Sequence, residues 1–119
     1  MPIDKVRYSC FVTDDMSASI AFFRDVLGLG FRFRDGDRWA EFDVGGGDRM
    51  ALASREEVGD LPGPLVVFQA TELDAVLQSI LNNGGALLAA RDMGAHGRVA
   101  TVKSPSGEVF QLFARASSS

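Results

Sequence analysis

The 119-residue sequence has one cysteine, Cys10, and one histidine, His96. A single cysteine excludes an internal disulfide and a cysteine zinc cluster. A single histidine excludes a multi-histidine metal site within one chain, and two copies would bring only two. No apolar run approaches the about 18 residues of a membrane span. Residues Met1 to Arg7 carry neither the basic start nor the apolar stretch of a secretory signal. No membrane partner is therefore expected, and the free thiol makes the cytoplasm the expected compartment. Basic residues are also the minority, 12 against 16 acidic, for a net charge of −4. A binder of phosphate backbones normally has the opposite balance, so no nucleic-acid partner is expected. The run Gly45 to Gly47 lacks the strand-then-helix setting of a phosphate loop.

What remains is an ordinary globular composition, 46% hydrophobic and 24% charged, in a length that suits one domain. Val6, Tyr8, Cys10 and Val12 alternate with polar residues, which predicts a half-buried strand. Asp14 and Asp15 suit the cap and positive end of a helix whose stripe is Met16, Ile20, Phe23 and Leu27, with Gly28 as its stop. Phe11, Phe22, Phe23 and Phe68 are expected between helix and sheet. Strands are expected over 31–34, 39–44 and 50–53. After a loop at Val58 to Pro64 the pattern returns: strand 65–70, a capping box from Thr71 to Asp74, a helix ending at Asn83-Gly84-Gly85, and strands over 86–90, 99–103 and 108–113. The halves overlay at an offset of 57, Tyr8 on Leu65, Gly28 on Gly85 and Arg34 on Arg91, and at 58 near the end, Ala53 on Gln111.

A duplicated strand–helix–three-strand module resembles the vicinal oxygen chelate superfamily, the glyoxalase, bleomycin-resistance and extradiol dioxygenase proteins. Three stretches carry the resemblance: Val12 to Phe23 at the first strand–helix junction, Arg24 to Phe31 with its Leu-Gly turn, and Ser104 to Phe113. In the last, serines stand where the family has an Asp-Pro-Asp-Gly hairpin. The resemblance implies an α+β fold, with two βαβββ modules forming open curved mixed sheets around a cup. It covers one domain, 1–119, with modules at about 4–55 and 63–114. It also implies a homodimer.

The family's enzymes hold a divalent ion on four positions, which fall here on Tyr8, Ala53, Leu65 and Gln111. Only Gln111 is an ordinary ligand, so the resemblance points to the metal-free, antibiotic-binding branch, with no cofactor and no catalytic residue assigned. The expected function is sequestration of a cytotoxic natural product, a bulky aromatic or cationic small molecule. The alternative is a metal-free lyase, isomerase or cyclase using Tyr8, Glu41 and His96 for proton transfer. A third reading is a rearranged metal site of Glu41, His96 and Gln111.

Strand alternation then groups the ligand-binding residues. If Tyr8 and Gln111 face the cup, so do Cys10, Val67, Val109 and Phe113. Trp39 and Glu41 share one strand face and Phe42 the other; the Trp39 face is favoured because an indole offers a stacking surface. Phe33 and His96 complete the set. Each has a plainer reading: Trp39 as core, Gln111 bonded to a neighbouring strand, His96 solvated on a loop, and Cys10 an inert buried thiol.

Overall fold

The computed structural model describes residues 2–59, 61 and 63–116. Pro62, within the expected loop, and the tail Ser117 to Ser119 lie outside the described residues. In chain order the elements are β1 Lys5–Thr13, α1 Met16–Ala21, β2 Gly30–Asp35, β3 Trp39–Gly45, β4 Asp48–Ser54, α2 Arg55–Val58, β5 Leu65–Gln69, α3 Leu73–Asn82, β6 Ala86–Asp92, β7 Arg98–Lys103 and β8 Val109–Ala114. The strand–helix–three-strand pattern occurs twice, in a mixed β fold with few helices. Only α2 is unanticipated; Ser54 caps it by accepting from the Glu57 amide at 3.2 Å.

Contacts divide the chain into two compact units. Tyr8–Leu65 forms a central unit; residues up to Arg7 and from Val66 onward form a terminal unit. The division does not follow the repeat, because the amino-terminal residues pack with the second half. The Asp4 amide donates to the Gln69 carbonyl at 2.8 Å, the Thr71 hydroxyl donates to the Asp4 carboxylate at 2.8 Å, and Ile3 packs on the terminal core.

In the central unit the strand order is β2–β3–β4–β1, antiparallel except for β1 beside β4. Helix α1 covers one face, burying Met16, Ile20, Ala40, Phe42, Met50 and Leu52. Asp15 caps it, its carboxylate accepting from the Ala18 amide at 3.0 Å. The helical stripe then breaks. Phe22–Val26 winds as a π-helix, with the Leu27 amide reaching back to the Phe22 carbonyl at 3.2 Å. The wider turn changes the phase of the stripe. Leu27, expected inside, is 53% exposed, and Phe22 is 50% exposed. Phe23 keeps its place, stacked on Phe11 with ring centroids 5.8 Å apart. Gly28 stops the helix at φ +72°, as its position predicts.

The terminal unit repeats the order as β5–β8–β7–β6, with β5 parallel to β8. Helix α3 buries Leu73 and Val76 against Ala100, Val102 and Leu112, and Phe68 meets Phe110 edge-on on that side. The expected capping box does not form. Glu72 is the cap residue and makes no side-chain cap bond, Thr71 is engaged by Asp4, and Asp74 pairs with Arg98 at 3.0 Å.

The ladders also correct the overlay of the halves. Ala40 pairs Leu52 in one unit and Ala100 pairs Leu112 in the other, an offset of 60. The change comes from the hairpins. Asp35 pairs Trp39 across a tight turn, whereas Arg91 pairs Val99 across a longer connection with a 3-10 turn at Gly94–His96. Gln111 therefore corresponds to Ala51, and Phe113 to Ala53. Arg91 corresponds to Asp35 instead of Arg34.

Candidate functional site: two helix-free sheet faces

Each unit has one sheet face covered by its helix and one that is not. In the central unit Phe42 goes to the covered face and is fully buried there. Trp39 and Glu41 go to the opposite face by alternation. Along the ladder, Cys10 lies beside Ala51, Ala51 beside Glu41 and Glu41 beside Phe33; the next row holds Val12, Ala53, Trp39 and Asp35. Small side chains on β1 and β4 leave room above the sheet for large ones. Tyr8 and Trp39 meet there edge-on, with centroids 5.5 Å apart and planes at 64°.

The indole Nε1 donates to Glu41 Oε2 at 2.8 Å, and Arg49 Nη1 lies 3.9 Å from Glu41 Oε1. These contacts offset the cost of holding a carboxylate on a residue only 9% exposed. Cys10 is fully buried in the same row. Burial, and secondarily the charge of Glu41, pushes its thiol up to about 12. It is a neutral packing group and no nucleophile. Phe33 is 45% exposed.

The helix-free face of the terminal unit carries Val67 beside Gln111 and Gln69 beside Phe113, with Thr101 and Val99 across the next ladder. The Gln111 amide donates to Thr101 Oγ1 at 3.1 Å, the neighbouring-strand bond of its plainer reading. Arg7 Nη1 donates to Gln69 Oε1 at 2.8 Å, and its guanidinium carbon lies 4.1 Å from the centre of the Phe113 ring. His96 lies outside these ladders, exposed at the end of the 3-10 turn between β6 and β7. Gly97 follows at φ +94°, where a Cβ would meet the Ala114 carbonyl and the Phe113 ring.

The residues at the family's metal positions do not fit a chelated divalent ion. Ala53, Ala51 (which the corrected register sets in its place as the counterpart of Gln111) and Leu65 are fully buried hydrocarbons with no donor atom. Tyr8 offers a phenol packed on indole, and Gln111 is bonded to Thr101. Among the described residues no three His, Cys, Asp or Glu side chains gather into a group that could hold a metal. Among the same residues no helix is long and apolar enough to cross a membrane.

Arg7, Gln69, Thr101 and Arg49 were not in the set read from sequence. Alternation could have placed Gln69 and Thr101 on the face of Gln111. Nothing in the pattern indicates that Arg7 reaches Phe113. On the helix side of the terminal unit there is also an apolar cavity of about 510 Å³ lined by Val76, Ile80, Pro105 and Phe110.

Two strand–helix–three-strand repeats, each with a mixed four-strand ladder, define a mixed-sheet fold with few helices. The chain belongs to the Glyoxalase/Bleomycin resistance protein/Dioxygenase superfamily, whose model matches residues 4–112. An uncharacterized protein of Mycolicibacterium smegmatis is 33% identical over 104 residues, 87% of each chain. Methylmalonyl-CoA epimerase from Mycobacterium tuberculosis shares the fold with a TM-score of 0.76 at 18% identity, over 98% of this chain and 91% of that one. A variant of homoprotocatechuate 2,3-dioxygenase from B. fuscum gives 0.72 at 19% identity, over 97% of this chain and 33% of the enzyme. At these identities the two structures bear on fold alone.

Proposed function

We propose that the chain is a small-molecule-binding protein of the metal-free branch, holding a bulky planar guest on the aromatic face of the central unit. The guest class is a cytotoxic natural product such as an antibiotic, sequestered without chemical change. The observation that carries this reading is the fixed indole. Trp39 is held by Glu41 and by its edge-on contact with Tyr8 while the residue stays half-buried. An aromatic surface ordered in advance binds a flat guest with little further entropy loss. The adjoining carboxylate favours a cationic guest. Pairing of two chains belongs to the same reading, supported by the exposed Phe22, Val26 and Leu27; sedimentation is expected to give the mass of a dimer.

Trp39 is the sole tryptophan, so its emission reports on this face. Proflavine, a planar cation, is expected to quench it saturably. In dye anisotropy, Glu41→Gln and Trp39→Leu are expected to weaken binding about tenfold. In a sensitive host, expression is expected to raise tolerance to bleomycin recovered intact. Absence of both quenching and protection rejects the proposal. Recovery of altered bleomycin shifts the assignment to a metal-free enzyme, a reading favoured by the deep-set carboxylate of Glu41 as its acid–base group.

A further inference from the structure

We propose that the cavity on the helix side of the terminal unit is a second small-molecule site, which takes a hydrophobic amine: an aryl or hydrocarbon body bearing an ammonium group. It is independent of the aromatic face and goes beyond the function proposed for that face. Every residue lining it belongs to the terminal unit. The cavity lies between α3 and the turn from β7 to β8. Its volume of about 510 Å³ falls within the range of about 300–1,000 Å³ usual for small-molecule sites. Ala75, Val76 and Ile80 line it from the helix, and Pro105 and Phe110 from the hairpin. Val76 is buried, Ile80 and Phe110 are half-buried, and Ala75 and Pro105 are exposed, so the wall is apolar from floor to mouth. At the offset of 57, Ile80 stands where the central unit has Phe23, which stacks on Phe11 with centroids 5.8 Å apart and meets Phe42 at 6.2 Å. An aliphatic side chain thus replaces a ring packed on two others.

The charge of the guest follows from Glu72, the one ionic side chain in the lining. Its counterpart Asp15 is bonded to the Ala18 amide, whereas the Glu72 carboxylate makes no bond to its own helix. Among the described residues it has no other hydrogen bond or ion pair. The neutral side chains around the cavity are already engaged. Asn83 Nδ2 donates to the Ser79 carbonyl at 2.7 Å, and the Ser104 hydroxyl donates to Glu108 Oε1 at 2.7 Å. The carboxylate is therefore the strongest polar group left for a guest. A body buried against Val76, Ile80 and Phe110 supplies the hydrophobic gain, and an ammonium donating to Glu72 at the rim fixes its orientation.

The probe is 4-(4-fluorophenyl)benzylamine, with the corresponding alcohol as its neutral counterpart. A third compound, 4-(4-fluorophenyl)benzoate, is the anion that the free amides at the start of α3 would favour. The fluorine resonance gives the affinity as the whole chain is added, and the methyl resonances of Val76 and Ile80 locate the guest. The amine is expected to bind saturably and shift both residues, with the alcohol about fivefold weaker and the acid weaker still. Glu72→Gln is expected to bring the amine to the affinity of the alcohol and leave the alcohol unchanged. Glu72 is exposed and has no bond to lose, so this variant is expected to keep the melting profile of the parent. Ala75→Phe puts a ring in the mouth and is expected to remove amine and alcohol alike. Trp39 emission in the same titration follows the aromatic face, so the two sites succeed or fail separately. Methyl resonances that stay still overturn the proposal, as does binding that survives Ala75→Phe. Acid binding equal to that of the amine, or an amine unaffected by Glu72→Gln, overturns the cation assignment.

Discussion

The two units keep one small–large pair under their helices and carry different residues on the other side of the sheet. Beneath α1 the paired positions are Ala40 and Leu52; beneath α3 they are Ala100 and Leu112. On the helix-free side, Glu41 and Ala51 stand where the terminal unit has Thr101 and Gln111, and Trp39 and Ala53 where it has Val99 and Phe113. In the central unit the bulk is on the third strand of the module and the fourth is alanine. In the terminal unit the larger side chains are on the fourth strand. In the Ala40 and Ala100 rows each helix packs on an alanine beside a leucine. The next row is Phe42 with Met50 in one unit and Val102 with Phe110 in the other, each filling a close-packed interior. The helix-free face carries different side chains, aromatic and acidic in one unit, guanidinium and amide in the other.

The sharpest way to break that comparison is to remove the shared leucine from each unit. Both are at most 1% exposed, so Leu52→Ala and Leu112→Ala are each expected to cost about 3 kcal/mol. Urea unfolding followed by circular dichroism measures both. Equal structural roles require the two costs to agree within about 1 kcal/mol; a several-fold difference would show that the shared pair is a coincidence of residue type.

Faces were legible in the sequence and rows were not. Alternation with period two groups Tyr8 with Cys10, Trp39 with Glu41, and Gln111 with Phe113 on one face of their strands whatever the register, though it does not say which face the helix covers. Pairing depends on hairpin length, and the longer connection from Arg91 to Val99 shifted the overlay of Ala53 from Phe113 to Gln111. That slip is two residues, one full period, so the face survived and the partner was lost. The break at Phe22–Val26 was invisible because residues of a π-turn have no distinct composition. Arg7 was missed for a different reason. Its partners, Gln69 and Phe113, are 62 and 106 positions along the chain, and charge on a strand ordinarily means solvent.

A second contrast lies in one row of the helix-free faces. Cys10 beside Ala51 corresponds to Val67 beside Gln111, so only the central unit buries a group that ionises there. The folded thiol titrates at about 12, against an ordinary value of 9.0. Between those values the folded chain keeps a proton that the unfolded chain releases. Stability from this group is therefore complete below pH 9 and falls as pH rises, by up to about 1.4 kcal/mol per pH unit. Cys10→Ala removes this slope, whereas Val67→Ala leaves it. The readout is the change in unfolding free energy between pH 8 and pH 10.5, from urea titrations of variant and parent, whose difference is expected to approach about 2 kcal/mol for the cysteine variant. A parent slope unchanged by Cys10→Ala would mean that the thiol ionises as readily folded as unfolded.

The smallest contrast is at the two helix starts. Asp15 accepts the Ala18 amide at 3.0 Å, while Glu72 makes no side-chain bond to its helix. A cap that satisfies an orphan amide contributes about 1 kcal/mol, so Asp15→Ala is expected to lower stability by that amount and Glu72→Ala by only a few tenths. The helices also differ in what holds them otherwise. The six residues of α1 run into a π-turn, whereas α3 is ten residues long with Asp74 tied to Arg98. Without its cap α1 has little intrinsic helicity to fall back on, because short helices depend on their ends and their packing. Amide exchange in the first turn of each helix separates the cases. Asp15→Ala is expected to speed exchange at Ala18, and Glu72→Ala to leave the start of α3 as protected as before. Equal acceleration at both ends would show that the two starts are held by sheet packing alone and that the Asp15 bond adds nothing.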